Sequence, residues 1–471
     1  MPSKRLVRRL VSCWLMVAAA GCGYDRKMSG VMTAWDQGAF AIAASEIQPL
    51  LDEHDQDAPI NGVVFHLDGG TVLRAAEDLP GSIRSLAWAD AAVRPYLDQA
   101  AETKVTEEVA AVLTNQTVRT YRGTSYDRIL LCTYQALNHL QLAQGERARV
   151  ELNRAALWQK DAVERNADRI AQEQQAFAQA GKKDGYDVAA TMADSGFRAS
   201  MEQAYGPVWD KRGSVNYEVT FTTYLRGILQ LASGDASGVE QARQSFRSVA
   251  GMLGEPANAP VLEDLALADA VTRGERAPAM VYVLMETGRA PSRKELRLDI
   301  PLFIQQVPYV GAAFPLLEFH DGQVTSFSVE GGERPRNSFL LCDLDAVVKR
   351  EFDDQLPLVI TATLVSSASK AVATYAAQRA AGDYGWAAAL GGALYQLAMN
   401  SADLRCWLTL PKQWLAVRMP RPASGQVEVV LGDGQRIPGI RLPDEPVSIV
   451  YLKSVRAGTP PLIQVMPVPA R

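Results

Sequence analysis

The sequence of 471 residues predicts an α+β protein in which an array of helical hairpins precedes a small mixed domain of helix and sheet. From residue 31 to 270, apolar residues recur at spacings of three and four, which is typical of amphipathic helices. From residue 271 to 471, compact or alternating apolar runs indicate strands. The helical pattern returns at about 343–400, so we expect strands on both sides of a helical insertion.

The first 21 residues have the composition of an export signal. Basic residues at Lys4 to Arg9 precede an apolar run that is shorter than the ~20 residues of a membrane span. Small residues then lead directly to Cys22. This order resembles the lipobox of bacterial lipoproteins, which implies cleavage between Gly21 and Cys22 and covalent lipid, palmitate included, on Cys22. The alternative is an ordinary cleaved signal with a chance cysteine.

The residue after the cysteine bears on localisation. An Asp there would resemble an inner-membrane retention signal, whereas this chain has Gly23. We therefore expect an outer-membrane lipoprotein that faces the periplasm, with residues 22–30 as a lipidated tether. The formal net charge of -5 provides no basic field for nucleic acid. Apart from the covalent lipid, we expect no cofactor, metal ion or small-molecule substrate.

Three cysteines remain in the mature chain besides Cys22, namely Cys132, Cys342 and Cys406. In an oxidising periplasm they allow at most one internal disulfide. Free cysteine is often buried, so three buried thiols are the favoured interpretation. If one pair forms, we expect Cys342 with Cys406.

Helical hairpins are indicated by short polar turns followed by a small residue and, four positions later, a larger one. Such turns occur at 77–82 with Leu86, at 145–148 with Leu152 and at 234–242 with Phe246, and a weaker one at 36–40. A small residue lets antiparallel helices approach closely, as in tetratricopeptide repeats. The long stripe from Glu151 to Gly181 predicts one amphipathic helix.

The C-terminal part has strand patterns of moderate length. Pro357 is expected to break or kink the inserted helix. Gly432 to Gly434 has the composition of a hairpin turn. The predicted strands cover residues 280–285, 295–300, 323–329, 338–341, 426–431 and 447–455.

Three stretches resemble a known family, the tetratricopeptide-containing bacterial outer-membrane lipoproteins of unknown function. They are residues 126–155, 281–300 and 402–411, the last being similar to the pattern Ala-Asp-x-Arg-x-Trp-x-x-Leu-Pro. The resemblance implies an assembly or surface role beside other envelope lipoproteins. It implies no catalytic residue that can be carried over.

Chemistry-bearing motifs are weak in this sequence. His54, His66, His139 and His320 lack metal-ligand spacing, and no nucleophile elbow or phosphate loop is present. Asp403, Arg405 and Trp407 predict a structural anchor, in which the ion pair crosses the junction of helix and sheet. The catalytic alternative would require an activated partner that the sequence does not show.

Residues 385–399 carry no charge and are rich in small side chains. A packed internal helix is the simplest interpretation, since the stretch is short for a span. A membrane contact or a subunit contact is the alternative. The sequence thus predicts a lipid-anchored scaffold without catalysis of its own, whose helical hairpins present a concave or grooved surface to other envelope proteins, lipoproteins among them. The alternatives are an envelope-acting enzyme with a C-terminal site, and a membrane-active or pore-associated component that uses 385–399.

Overall fold

The computed structural model describes residues 23–54, 61–98, 121–183, 186–209, 217–304, 307–380 and 401–469. The signal segment, Gly21, Cys22 and residues 385–399 lie outside the described residues, so the expectations for them stay predictions.

The described N-terminal part is helical, and strands follow it, which confirms the α+β class. All four predicted turns join two helices. The helices in chain order are α1 (Gly23–Asp36), α2 (Phe40–His54), α3 (Gly62–Ala75), α4 (Leu79–Asp98), α5 (Ser125–Gln141), α6 (Gly145–Lys183), α7 (Val188–Ala193), α8 (Ser195–Trp209), α9 (Thr220–Ser233), α10 (Ala236–Leu253) and α11 (Ala259–Thr272).

The two helices of a hairpin pack closely where the sequence places its large residue after the turn. A Cβ added to Gly70 on α3 would lie 2.4 Å from the Leu86 side chain on α4. A Cβ on Gly227 of α9 would lie 2.6 Å from Phe246 on α10. The large residue of each second helix therefore packs on a glycine of the first. Hairpins are present, whereas their assignment to the tetratricopeptide class stays a prediction.

The expected tether over residues 22–30 differs in the structure. From Gly23 onward the chain is already helix α1, and Tyr24 and Met28 are buried in the core. Apolar side chains at a spacing of four give this helix a face that packs on its neighbours. The folded body therefore begins two residues after Cys22.

Two long helices lie side by side. Helix α6 extends two residues past the predicted end at Gly181, and α12 (Leu344–Ala380) continues through Pro357 without a break. They meet where Phe177 packs against Ala362. Helix α12 is long and apolar enough to cross a membrane, but most of its apolar window is buried in the protein.

The strands form three sheets. A five-stranded sheet has the order β11-β10-β1-β7-β6, a four-stranded sheet has the order β5-β4-β8-β9, and β2 pairs with β3 as a separate ribbon. The strands are β1 (Met280–Thr287), β2 (Ser292–Ile304), β3 (Val307–Glu318), β4 (Phe327–Glu330), β5 (Arg336–Asn337), β6 (Phe339–Asp343), β7 (Gln413–Pro420), β8 (Gln426–Leu431), β9 (Arg436–Arg441), β10 (Val447–Ser454) and β11 (Leu462–Val468).

Strand β1 shows where the core lies. Every residue of β1 is buried, and alternate side chains join two different clusters. Val281 and Val283 pack toward the four-stranded sheet, while Tyr282 and Leu284 pack toward the helices. The five-stranded sheet is thus a middle layer between the smaller sheet and the helical array, which explains its continuous apolar sequence.

Candidate functional site

Asp403 and Arg405 lie on the segment 401–412, which leads into β7. The Arg405 guanidinium donates to both carboxylate oxygens of Asp403, at 2.8 and 2.7 Å. This ion pair is local to the segment, so the predicted pairing across the junction is wrong. Arg405 itself makes the crossing, because it donates to Asn61 Oδ1 at 3.1 Å and lies 5.7 Å from the Tyr121 ring centre.

The charge state of Asp403 follows from this geometry. Burial alone would raise the pKa of the carboxyl group, but the Arg405 charge and its hydrogen bonds outweigh that effect and hold the pKa below its ordinary value. Asp403 is therefore a carboxylate bound to its neighbour. It has the character of a structural group, in line with the anchor hypothesis.

Trp407 lies between the helices and the sheet, with 2% of its surface exposed. Its Nε1 is 3.2 Å from the hydroxyl oxygens of Thr71 on α3 and Thr409 on its own segment. Its ring centre is 5.7 Å from that of Tyr134 on α5. The side chain thus combines a large apolar contact with a satisfied polar atom.

Asp68 on α3 is the centre of the same junction, and sequence reasoning missed it. Its Oδ1 accepts from the Thr409 backbone N–H and hydroxyl, at 3.0 and 2.8 Å. The Tyr24 hydroxyl lies 2.8 Å from Asp68 Oδ2 and 2.7 Å from the Cys406 carbonyl oxygen. A tyrosine has one hydroxyl proton, so it cannot donate to both oxygens.

Protonation of Asp68 resolves that geometry. A protonated Oδ2 donates to the Tyr24 oxygen, and Tyr24 then donates to the Cys406 carbonyl. Burial raises the pKa of Asp68 to about 7, although the hydrogen bonds from Thr409 and Tyr24 oppose the shift. An acidic residue within the apolar stretch of α3 could have indicated a buried polar site. Its partner Thr409, however, is 341 residues away in the chain.

Further buried charges join the array to the sheet. Glu286 on β1 accepts from the Lys453 ammonium group on β10 at 2.5 Å and from the Tyr134 hydroxyl at 2.7 Å. Arg74 on α3 donates to Gln464 on β11 at 2.7 Å. Glu286 and Lys453 form an ion pair within the five-stranded sheet, as buried charges require. The contacts of Glu286 with Tyr134 and of Arg74 with Gln464 each join a helix to a strand.

Two more acids complete this pattern. Asp264 on α11 accepts from Arg418 on β7 at 2.7 Å and from the Tyr224 hydroxyl at 2.6 Å. Glu351 on α12 accepts from the Ser125 backbone N–H at 2.7 Å, at the N-terminus of α5. Burial raises the pKa of Glu351, and the helix N–H groups of Ser125 and Tyr126 oppose that shift because they favour the carboxylate. Their geometry is that of structural polar contacts.

The thiols and histidines add no reactive cluster to the described residues. Cys132, Cys342 and Cys406 are buried and free, so the favoured expectation is confirmed and the Cys342–Cys406 pair is not formed. Burial raises the pKa of Cys342 to about 11 and that of Cys406 to about 12. His139 Nδ1 lies 2.9 Å from Gln144 Oε1. No group of metal-ligating side chains occurs in the described ranges.

A cavity of about 590 Å³ opens between α8 and α12, away from this junction. Its volume lies within the range of small-molecule sites. Apolar side chains from both helices line it, and charged side chains surround them. The lining residues are Met192, Phe197, Arg198, Met201, Glu202, Ala346, Lys349, Arg350, Asp353, Asp354, Leu356, Pro357 and Ile360.

The polar groups of the cavity come mainly from one face of α12. Lys349 lies 2.6 Å from Asp353 Oδ2, and Arg350 lies 2.9 Å from Asp354 Oδ2, each pair four residues apart. Asp353 Oδ1 is buried and has no hydrogen-bond partner among the described residues. An unmade buried hydrogen bond of this kind is costly to the fold.

The inner face of the hairpin array is covered by the protein itself. Every residue of α3 is buried, and α5 and α9 contact β11 and β6 respectively. Phe221 on α9 stacks on Trp414 of β7 with ring centres 4.7 Å apart. The C-terminal domain thus occupies the groove that an open helical array would present.

The chain matches no family model, and neither curated proteins nor solved structures show significant similarity to it.

Proposed function

We propose that this protein is a lipid-anchored scaffold of the outer membrane, without catalysis of its own, which binds another envelope protein on its periplasmic side. The predicted lipid on Cys22 would hold it at the membrane. Tetratricopeptide-like hairpins would serve as its framework. The observation that carries the proposal is the contrast between a filled inner face and the open cavity between α8 and α12.

The covered groove changes where the partner binds. Sequence reasoning expected the concave face of the hairpins to receive it, but α3, α5 and α9 lie against the C-terminal domain. The cavity between α8 and α12 offers apolar surface at Phe197 and Ile360. An apolar pocket with a polar rim gives affinity and orientation at once.

The chemistry of the cavity indicates the kind of partner segment. Its apolar walls fit the apolar face of an amphipathic segment. Asp354 and Glu202, whose side chains are accessible, offer carboxylates for a lysine or arginine on that segment. Met192 and Met201 contribute flexible, polarizable side chains, which adapt well to a partner's shape. We therefore propose a partner protein with a basic amphipathic helix.

Site-specific photocrosslinking in intact cells tests this proposal. A photoreactive amino acid replaces Met192 in the cavity lining, and in the control it replaces Leu262 on α11. The two side chains are similarly exposed, Met192 at 37% and Leu262 at 43%. We expect a defined adduct from position 192 and none from 262. Equal labelling at both positions, or no adduct at 192, would contradict the proposal. Palmitate labelling that is lost in Cys22→Ala tests the anchor separately.

One observation favours the alternative of an envelope-acting enzyme. Lys349 and Asp353 form an acid–base pair inside a cavity of ligand size, in the C-terminal domain. Lys349→Met and Asp353→Asn would abolish such an enzyme while leaving the fold intact. Complementation of a deletion strain by both variants would exclude it. The membrane-active alternative concerns residues 385–399 and is tested by protease access in outer-membrane vesicles.

A further inference from the structure

The turn end of the β2–β3 ribbon exposes two aromatic side chains. Phe303 is 60% exposed and Tyr309 is 67% exposed, whereas Leu302 and Val310 beside them are buried. The sequence from Ile300 to Leu317 contains no charged residue. Among the described residues, these two are the aromatic side chains that are exposed.

The backbone at Phe303 departs from a regular strand. The register of the ribbon shifts between Pro301 and Ile304, which is a β-bulge, and Phe303 has a φ of 53°. Tyr309 pairs with Pro301 across the ribbon and is exposed, so the ribbon face that carries Tyr309 is open at this end. Bulky residues rarely adopt positive φ, and such strain is often associated with function.

The base of the ribbon lies beside the start of the folded chain. The backbone N–H of Arg293 at that base donates to the Cys406 thiol, and the Cys406 carbonyl oxygen accepts from Tyr24. Tyr24 is two residues after Cys22, a reach of at most ~7 Å. From Arg293 to Phe303 the ribbon extends by roughly 33 Å at 3.3 Å per residue.

We propose that Phe303 and Tyr309 form a membrane contact, which inserts among the headgroups of the bilayer that holds the lipid of Cys22. Aromatic side chains favour the membrane interface, and the uncharged ribbon end makes insertion possible. The inference rests on the proposed function for the position of the lipid. By strand rise, the lipid and the ribbon end lie roughly 30 Å apart. Two membrane contacts at that separation fix the orientation of the folded protein on the membrane.

The test uses the mature full-length chain with Cys22→Ala, so that no lipid contributes. Tyr309→Cys receives an environment-sensitive fluorophore, and Leu262→Cys is the control; the three native thiols are buried. With vesicles of phosphatidylethanolamine and phosphatidylglycerol, we expect a blue shift and quenching by a lipid-borne quencher at 309 alone. An unchanged spectrum at 309, or equal shifts at both positions, would overturn the proposal.

Vesicle flotation supplies the matched mutants. Phe303→Ser combined with Tyr309→Ser should lower vesicle binding at least tenfold, while Ile42→Ser combined with Leu262→Ser, also exposed positions, should leave it unchanged. Phe303→Leu with Tyr309→Phe should retain binding. Equal losses in both serine pairs would reject the contact. Palmitate labelling of Cys22 tests the lipid anchor independently. If the protein is labelled but its ribbon end does not bind vesicles, this inference is refuted while the proposed anchor stands.

Discussion

The junction around segment 401–412 and the lobe formed by α8, α12 and the β2–β3 ribbon are built on different rules. At the junction, Asp68, Glu286 and Arg74 are buried, and each has a hydrogen-bond partner from the other half of the chain. The lobe instead has a cavity of about 590 Å³ and an exposed Phe303. The charged groups of the junction are thus paired inside the protein, whereas the lobe leaves apolar surface open.

This difference separates groups that hold the fold from groups available to a partner. Buried ion pairs add little net stability compared with apolar packing, but removing one member leaves a costly charge. We infer that the junction charges specify how the helices and the sheet are oriented. In the proposal above, binding takes place at the lobe, where an unfilled cavity and exposed apolar side chains can gain contacts. Substitutions at three positions test this division.

The largest effect is expected at Trp407. Trp407→Ala removes a large buried side chain at the junction and should lower the free energy of unfolding by about 3–5 kcal/mol. Trp407→Phe, which keeps most of the volume and loses the indole N–H, should cost about 1 kcal/mol. Urea denaturation followed by circular dichroism measures both. A melting curve for Trp407→Ala like that of the wild type would remove the anchor role.

The second effect is the pH dependence of the junction. The pKa of Asp68 is raised from an ordinary 3.8 to about 7 in the folded protein, so folding favours the protonated form. Its stabilising effect is complete below pH 3.8 and is lost as the pH rises to about 7. The change reaches about 4 kcal/mol at 1.36 kcal/mol per pKa unit.

Asp68→Asn isolates that contribution. An amide donates to Tyr24 and accepts from Thr409 without titrating, so the variant should fold and lose this part of the pH dependence between pH 4 and 7. Urea denaturation at several pH values in this range compares the two slopes. Asp68→Ala, which leaves the Thr409 N–H unpaired, should be destabilised at every pH. Identical slopes for wild type and Asp68→Asn would show that Asp68 is ionised in the folded protein.

The smallest effect on stability is expected in the lobe. Tyr309→Ser changes an exposed side chain, so the free energy of unfolding should change by less than about 0.5 kcal/mol. The same denaturation assay checks it. A loss of several kcal/mol would mean that the ribbon end belongs to the fold, and the contrast between junction and lobe would fail.

Local patterns made most of the helices and several strands predictable. The hairpin turns follow from spacing, whereas the glycine of the first helix that each large residue meets, such as Gly227 opposite Phe246, was not predicted. Strand β3 was missed, because its apolar run lacks clear alternation and its partner β2 sets its length. The prediction of a tether over residues 22–30 was wrong, because Tyr24 is buried through contacts with Asp68 and Cys406, which are remote in sequence.

The candidate sites were less accessible to sequence reasoning. Segment 402–411 was singled out, and its Trp407 does lie at the junction, but the ion pair there is local. The cavity combines α8 with α12, about 150 residues apart in the chain. No local pattern announces a space between such distant helices, and the bulge at Phe303 depends on the opposite strand.

The arrangement of β1 has a consequence for biogenesis. This strand pairs in parallel with β10 and antiparallel with β7, so both of its neighbours are synthesised more than 120 residues later. Pairings of such long range form slowly, because the intervening chain must first be ordered. The five-stranded sheet cannot close until the last 60 or so residues are present. We therefore expect the five-stranded sheet to acquire its final pairing only after β11 has been synthesised, and in the export that we propose this part of the chain would cross the membrane before that pairing forms.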